Sequence, residues 1–255
     1  MEIVTEELVR RLETVGVEFI AGWCSDIPGV RVERFGDARA SLNPDEPELD
    51  FQNMVMGLYP NDAGKVDPIL RFYADAGVRP WFELPPASEP ARLSIPLGDA
   101  GARPIGFSSM LYGSPKRLDA DARVREARPD EAPVFADVLL RGHGAPDEAS
   151  REHIVRWAQA ETSRMFVAQV DGEVAAAAAL HYSGGIAYLA NASTLPEARG
   201  LGLQTALIAA RMIAAAEAGS DLVSSQATWS SQSQRNLERA GLSIAYTKTI
   251  WRVQA

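Results

Sequence analysis

The reading of the chain turns on "EARGLGLQTAL", residues 197–207. Two glycines, Gly200 and Gly202, and a cation, Arg199, stand directly before an apolar run of helical spacing. The first turn of a helix presents N–H groups without intrahelical partners, together with a partial positive charge. Anions such as phosphate bind there. Glycines remove side chains that would block close approach, and they tolerate backbone angles that other residues avoid. Leu203, Leu207 and Ala210 share the face that would bury the helix, while Gln204 and Thr205 occupy its first turn. The stretch reads as a cradle for a phosphate or pyrophosphate. A plain strand-to-helix turn with no ligand is the alternative.

Outward from the cradle, the C-terminal tract parses cleanly. "VREARPDE" is a short strand followed by an acidic helix start, and "DEAPVFADVLLR" carries apolar residues at helical spacing. "GHGAPDE" breaks that helix and "ASREHIVRWAQAE" makes a second. "RMFVAQVDGEVAAAAALHY" reads as a hairpin turning on "DG", and "GIAYLANAST" as the strand that leads to the cradle. The helix "LQTALIAARMIAAAEAG" closes at Gly219, a C-cap position. Strand "DLVSSQATW", helix "SQSQRNLERAG" and strand "SIAYTKTIWRV" complete the tract. The order β-α-α-β-β-β-α-β-α-β predicts an α/β layer with a mixed sheet.

"GSPKRLDAD", residues 113–121, clusters Gly, Pro and charge with no apolar period, and reads as a linker. It divides the chain into residues 1–118 and 119–255. The first part is a fainter copy of the second. "LDFQNMVMGLYP" is strand-like, "AGKVDPILRFYADAGV" is a helix ended by Gly77, and "RPWFELPP" is a strand. "ARLSIPLGDAG" then "ARPIGFSSMLY" parallels "SQRNLERAG" then "LSIAYTKTIW", with Ala100-Gly101 and Ala240-Gly241 at matching places. The parallel points to duplication. Two α/β domains sharing a pattern by chance is the alternative.

Composition bounds the function classes. With 46% hydrophobic and 23% charged residues over 255 positions, the chain has enough apolar material for one large or two small cores. The net charge of -9 without a basic cluster argues against a nucleic-acid groove. The lone Cys24 cannot form an intrachain disulfide, which fits a reducing cytoplasm. "MEIVTEELVRRLETVG" is charged and periodic, unlike a signal peptide, and "VAAAAALHY" is too short to span a bilayer. Three scattered histidines make no metal site. "RGLGLQ" lacks the Lys-Ser/Thr of a P-loop. A dinucleotide loop would want a third glycine where Thr205 stands; Asp221 could serve as its ribose partner, but the N-terminal βαβ start is missing.

The same residues resemble the signature of the GNAT superfamily of N-acetyltransferases, Gln/Arg-x-x-Gly-x-Gly/Ala. Arg199 and Gly202 match it, and Gln204 departs from it. "SQRNLERAGL" is similar to the family's last helix and following strand, and the element order of the C-terminal tract agrees. The resemblance implies an α/β fold of two tandem GNAT-like domains, each a mixed, mostly antiparallel sheet flanked by helices. The N-terminal copy, residues 1–118, has "YPNDAGKVD" where the glycine loop should be and is expected to hold no CoA. The domain at 119–255 is expected to bind acetyl-CoA. Its pyrophosphate would lie on the N–H groups of Gly200, Leu201, Gly202, Leu203, Gln204 and Thr205, beside Arg199. The pantetheine arm would pair with Ala192, Ser193 and Thr194. Ser233, Asn236 and Arg239 would form the far side, in a slot where two strands splay apart.

Acetyl transfer to an amine needs a proton acceptor, a donor for the tetrahedral oxyanion and a tolerated thiolate. A backbone N–H near Ala192 would serve the oxyanion. The family's acid is a Tyr four residues before the Gly of the last helix, and here that position is Leu237. Tyr246 is the substitute candidate. "GIAYLANAST" carries no Asp, Glu or His, so Tyr188, His181 and Glu161 are the candidate proton acceptors or relays. His143 reads as a loop residue and His153 as a surface one. Trp81, Trp157, Trp229 and Trp251 are expected in the core. The expected function is transfer of an acetyl group from acetyl-CoA to a small amine by direct attack in a ternary complex. Acetyl-CoA would be the cosubstrate, without a metal. No nucleic-acid or membrane partner is expected, and the protein would be a cytoplasmic monomer or homodimer. Residues 1–115 would wall the acceptor cleft or pack on the second domain. A non-catalytic acyl-CoA sensor or scaffold, and a nucleotide-binding module of another kind, are the competing readings.

Overall fold

The computed structural model describes residues 3–144, 148–158 and 163–254. The chain forms two compact units, an N-terminal one up to Met110 joined by the residues from Ala245 onward, and a C-terminal one over Leu111–Ile244.

In the N-terminal unit α1 (Glu6–Ser25) is capped by Thr5, whose side chain accepts from Leu8 N at 3.2 Å. Its apolar stripe, with Leu8, Leu12, Val15 and Phe19, is buried. β1 (Arg31–Phe35) and β2 (Ala38–Leu42) form a hairpin turning on Gly36, and β3 (Met54–Met56) follows. A 3-10 helix (Pro60–Lys65) runs directly into α2 (Val66–Ala74). β4 (Trp81–Leu84), α3 (Ala91–Asp99) and β5 (Ala102–Gly113) come next. Gly77 after α2 and Gly101 after α3 both have positive φ, as stop signals require.

The C-terminal unit follows the order read from the sequence. β6 (Val124–Glu126), α4 (Ala132–His143) and α5 (Glu148–Ala158) precede β7 (Ser163–Val170), β8 (Glu173–Ser183) and β9 (Ile186–Thr194). α6 (Leu203–Glu217), β10 (Leu222–Thr228), α7 (Gln232–Arg239) and β11 (Ser243–Val253) complete it. Asp171 and Gly172 both have positive φ, so "DG" forms the tight turn between β7 and β8. Residues 175–179 are five consecutive alanines in β8. Alanine favours helix in isolation, yet these residues are buried in a strand whose small side chains let α4 and α6 approach. Ala176, Ala178 and Leu180 share one core with Leu203, Leu207 and Met212 of α6.

Two strands straddle the division between units. Residues 111–113 of β5 belong to the C-terminal unit, and residues 245–253 of β11 belong to the N-terminal one. The N-terminal sheet runs β1-β2-β3-β4-β11-β5, with β11 antiparallel to β4. This differs from a cut at 118/119, which leaves all of β11 with the C-terminal tract. A buried ion cluster holds the strand. Lys248 Nζ lies 2.9 Å from Glu83 Oε2 on β4 and 3.2 Å from Glu13 Oε1 on α1, and Tyr246 donates to Glu13 Oε1 at 2.7 Å. The C-terminal sheet runs β10-β9-β8-β7-β6, parallel between β9 and β10 and antiparallel elsewhere. Among the described residues no helix is long and apolar enough to cross a membrane.

Glu131 sets the entry to α4. It accepts from both terminal nitrogens of Arg125 at 2.7 Å and from Arg128 N at 2.8 Å. The Arg125 hydrogen bonds, then that from Arg128, hold its carboxyl down to about 2. A carboxyl depressed below its unfolded value of ~4.3 adds stability that is complete above that value and is lost as pH falls toward its folded pKa. The C-terminal unit should therefore melt at a nearly constant temperature from neutrality to pH ~5, then progressively lower toward pH ~2. Glu131→Gln should lower the melting temperature at neutral pH and flatten that acid limb. Circular-dichroism melts of both proteins across the range check it, and an unchanged acid limb in the variant would count against the assignment.

Candidate functional site

β9 and β10 pair in parallel for three residues only: Ile186 with Leu222, Ala187 with Val223, and Tyr188 with Ser224. Ser225 Oγ then donates to Leu189 O at 2.8 Å. Beyond this bridge residues 189–194 on one strand and 225–228 on the other line a cleft of about 870 Å3. The cause of the parting lies on the other side of β9. Its ladder with β8 shifts register between Ala178 and Ala179, so that Ala178 faces Ala192 and Ala179 faces Ala190. Asn191 is the extra residue, with φ of 32°. Such a bulge bends its strand and ends regular pairing. Arg211, on the buried face of α6, lies under it: Nη1 donates to Ala179 O at 3.0 Å and to Ala190 O at 3.2 Å, and Nε donates to Leu207 O at 3.0 Å.

The glycine stretch forms the mouth of the cleft. After a 3-10 turn at Pro196–Ala198 the chain passes through Gly200 (φ 84°) and Gly202 (φ 77°) into α6. Gly202 is the N-cap, without a side-chain cap, and no acidic residue occupies the first turn. A Cβ added at Gly200 or Gly202 would meet no described heavy atom within 4 Å. Backbone angle, and not crowding within the chain, is what demands glycine here; the space beside the loop is open. The loop is tied down from outside. Arg123 donates to Leu201 O at 3.0 Å, Arg199 to Gly142 O at 2.9 Å, and Gln204 Nε2 to Thr194 Oγ1 at 3.0 Å.

The end of α4 makes the adjoining wall. Ser193 Oγ lies 2.9 Å from Val138 O and 3.2 Å from Leu139 O. A Cβ on Gly142 would fall 2.2 Å from that oxygen, so only glycine lets α4 end this close to β9. His143, next in sequence, stands exposed on the cleft wall, where partial desolvation and then the charge of Arg199 lower its pKa from the ordinary histidine value. α7 makes the opposite wall. Ser231 caps it by accepting from Gln234 N at 3.1 Å, and Ser233, Asn236 and Leu237 face the cleft. Among the described lining residues the ionisable side chains are His143, Arg199 and Arg211; no carboxylate is included.

Eleven of the residues expected to hold CoA come together on this cleft: Ala192, Ser193, Thr194, Arg199, Gly200, Gly202, Leu203, Gln204, Thr205, Ser233 and Asn236. Leu201 and Arg239 do not line it. The Leu201 side chain is exposed while its carbonyl anchors the loop, and Arg239 donates to Asn236 Oδ1 at 3.0 Å from behind. Tyr246 is corrected: its hydroxyl is spent on buried Glu13 in the N-terminal unit, and it does not line the cleft. Tyr188 and His181 face each other across β8 and β9 and do not line it either. Glu161 lies outside the described residues. His153 is buried and not on the surface. Of the tryptophans Trp157 is in the core, Trp81 and Trp251 are half-buried, and Trp229 is exposed, because it follows β10 where the strand leaves the sheet.

Arg211, Asn191 and the Gly142-His143 pair were not read as site residues. Arg211 carried a signal: it is four residues after Leu207 and eight after Leu203, on the stripe that buries α6. A charge there needs a reason. Asn191 carried none, because a bulge is decided by the partner strand.

Residues 116–225 match the family model described as an acetyltransferase (GNAT) domain. Among solved structures, a GCN5-related N-acetyltransferase from Kribbella flavida is similar over 96% of this chain and 95% of its own, with 17% identity and a TM-score of 0.67. One from Sphaerobacter thermophilus covers 96% and 90%, with 12% identity and a TM-score of 0.61. A tandem GNAT protein from the clavulanic acid biosynthesis pathway covers 96% and 92%, with 14% identity and a TM-score of 0.60. No curated protein matches significantly. The chain shares its fold with these structures, and the match to the GNAT acetyltransferase domain lies within the C-terminal unit.

Gly142→Ala should separate packing from backbone strain. The clash with Ser193 should cost about 1–3 kcal/mol as in overpacked cores. Gly200→Ala should cost only the left-handed backbone penalty of about 1–2 kcal/mol. Urea unfolding followed by fluorescence measures both, and an undisturbed Gly142→Ala protein would mean that α4 and β9 can part cheaply.

Proposed function

We propose that the C-terminal unit binds acetyl-CoA in this cleft and transfers the acetyl group to an amine acceptor in a ternary complex. The observation that carries the reading is the coincidence of an uncapped, left-handed glycine entry to α6 with β9–β10 pairing that stops after three residues. The first suits a pyrophosphate and the second a narrow linear arm ending in a thioester. The first-turn N–H groups of α6 and Arg199 would hold the phosphates. The strand edge at Ala192–Thr194 would align the arm, and a backbone N–H near Ala192 would stabilise the oxyanion. Acetyl-CoA supplies the activated acyl group.

The chain's own proton chemistry is sparse. Leu237 occupies the position of the family's acid, and no carboxylate lines the described cleft. The leaving thiol, by analogy with cysteine at about 8.5, can depart with little help. The amine's proton would leave through water in the open cleft or to the neutral imidazole of His143. The same sparseness favours a second reading, a non-catalytic acyl-CoA sensor.

The N-terminal unit is proposed to hold no CoA. Between β3 and α2 the left-handed Gly57 directly follows the strand, whereas from Pro60 the 3-10 helix runs into α2 with no left-handed glycine at the helix entry, and Asp62 and Asp67 stand in the first turns. Neither carboxylate caps its helix with a hydrogen bond, so their charge would act on a phosphate there by repulsion.

Titration calorimetry with acetyl-CoA should give one site per chain. At a hundredfold excess over Kd the ligand should add about 2.7 kcal/mol of stability. Gly202→Asn, which tolerates the left-handed conformation, should keep the site, whereas Gly202→Glu should lose it by placing a carboxylate where the phosphate lies. Two sites per chain, or undiminished binding in Gly202→Glu, would move the CoA site elsewhere. Thiol release with a panel of amines separates the enzyme from the sensor.

A further inference from the structure

Arg211 carries a charge that its structural role does not need. It is fully buried in the middle of α6, with 2% of its surface exposed, and it lines the cleft. Its hydrogen bonds go to three backbone carbonyls, those of Leu207, Ala179 and Ala190. No carboxylate among the described residues pairs with it, and its Nη2 makes no hydrogen bond to them. Two carbonyls turned out of register by a bulge can be satisfied by any neutral donor, glutamine included. Burying a guanidinium instead carries a desolvation cost that an ion pair or further hydrogen bonds must offset. Burial alone lowers its pKa to about 9, which leaves it charged at neutral pH.

Position decides what the charge can meet. Arg211 lies eight residues beyond Leu203, about 12 Å of helix rise from the phosphate cradle. It therefore sits toward the inner end of the cleft, beside the bulge at Asn191, where an acyl group carried on a CoA arm would end. Its neighbours on the cleft wall there, Leu189, Asn191, Ser225 and Gln226, are uncharged.

We propose that the inner end of the cleft is a carboxylate site read by Arg211, so that one of the two reacting molecules carries a carboxylate close to its reacting centre. The carboxylate can arrive on the acyl donor, as in the CoA thioester of a dicarboxylic acid, or on the acceptor, as in an amino acid. Both present the same anion to Nη2, which offers two N–H donors. The inference rests on the acyl-CoA reading of the cleft, and free CoA serves to test that reading by itself.

The test is calorimetry on the full chain with free CoA, acetyl-CoA and succinyl-CoA, followed by acceptor binding to the CoA-loaded protein with glycine set against glycinamide. Succinyl-CoA should bind about tenfold or more tightly than acetyl-CoA if the donor carries the carboxylate, and glycine more tightly than glycinamide by a similar factor if the acceptor does. Arg211→Met should erase whichever preference is found while free CoA binds as before, and Arg211→Lys should retain part of it. Should Arg211→Met fail to fold, the wild-type preferences and the lysine variant decide. Equal affinities within both pairs, or a preference that survives in Arg211→Met, would overturn the proposal. Loss of CoA binding together with the preference in a folded Arg211→Met protein would assign Arg211 to the bulge alone and overturn it equally. Failure of free CoA to bind the wild-type protein would instead overturn the acyl-CoA reading, and this inference with it.

Discussion

One residue too many in β9 governs the C-terminal unit. Asn191 has no opposite number on β8, and the register on either side of it differs by one. A strand that carries a bulge cannot stay parallel and evenly spaced to both neighbours. β9 keeps β8 and gives up β10, whose pairing stops at Ser224. The gap that opens is the cleft. The costs of the bulge are met locally: Arg211 takes the carbonyls of Ala179 and Ala190, and Ser225 takes that of Leu189. Past the bulge, Ser193 fastens the strand to the end of α4, which brings Gly142 and His143 to the cleft wall. A defect in one ladder thus fixes three walls of the site.

The N-terminal unit depends on a different constraint. β11 fits beside β4 with Lys248 fully buried between two carboxylates, Glu13 from α1 and Glu83 from β4. A buried ion pair adds little net stability against an apolar alternative, but breaking one costs about 3–5 kcal/mol because a bare charge is left behind. Such a cluster therefore selects register more than it adds strength. A slip of one residue along β11 would turn Lys248 to the other face and strand both glutamates. The same arithmetic explains why Tyr246 is not available for chemistry: its hydroxyl helps to satisfy Glu13.

Local signals in the chain were sufficient for the elements after residue 121 and for several before it, though not for α1 or the β1–β2 hairpin. The order of strands and helices after residue 121, the Asp171-Gly172 turn, the stops at Gly77, Gly101, Gly219 and Gly241, and the glycine entry to α6 all depend on backbone angles that few residues tolerate. Such requirements act over four or five residues and leave their mark in composition. The glycine-lined half of the cleft was legible for that reason, since it is built from one contiguous stretch and the strand before it.

What only the tertiary structure decided was which distant groups share a space. The strand state of Ala175–Ala179 is imposed by α4 and α6 against the residues' own helical preference. The bulge at Asn191 exists only relative to β8, the closeness of Gly142 to Ser193 only relative to β9, and the membership of β11 only relative to β4. Arg211 stood in plain view on an apolar stripe, but the partners that give its charge meaning are backbone carbonyls, and every residue has one. The sequence by itself determined the backbone's local menu, because steric limits on φ and ψ are properties of single residues. Pairing register, burial of charge and the shape of the cleft are properties of pairs far apart in the chain, and the folded structure alone brings those pairs together.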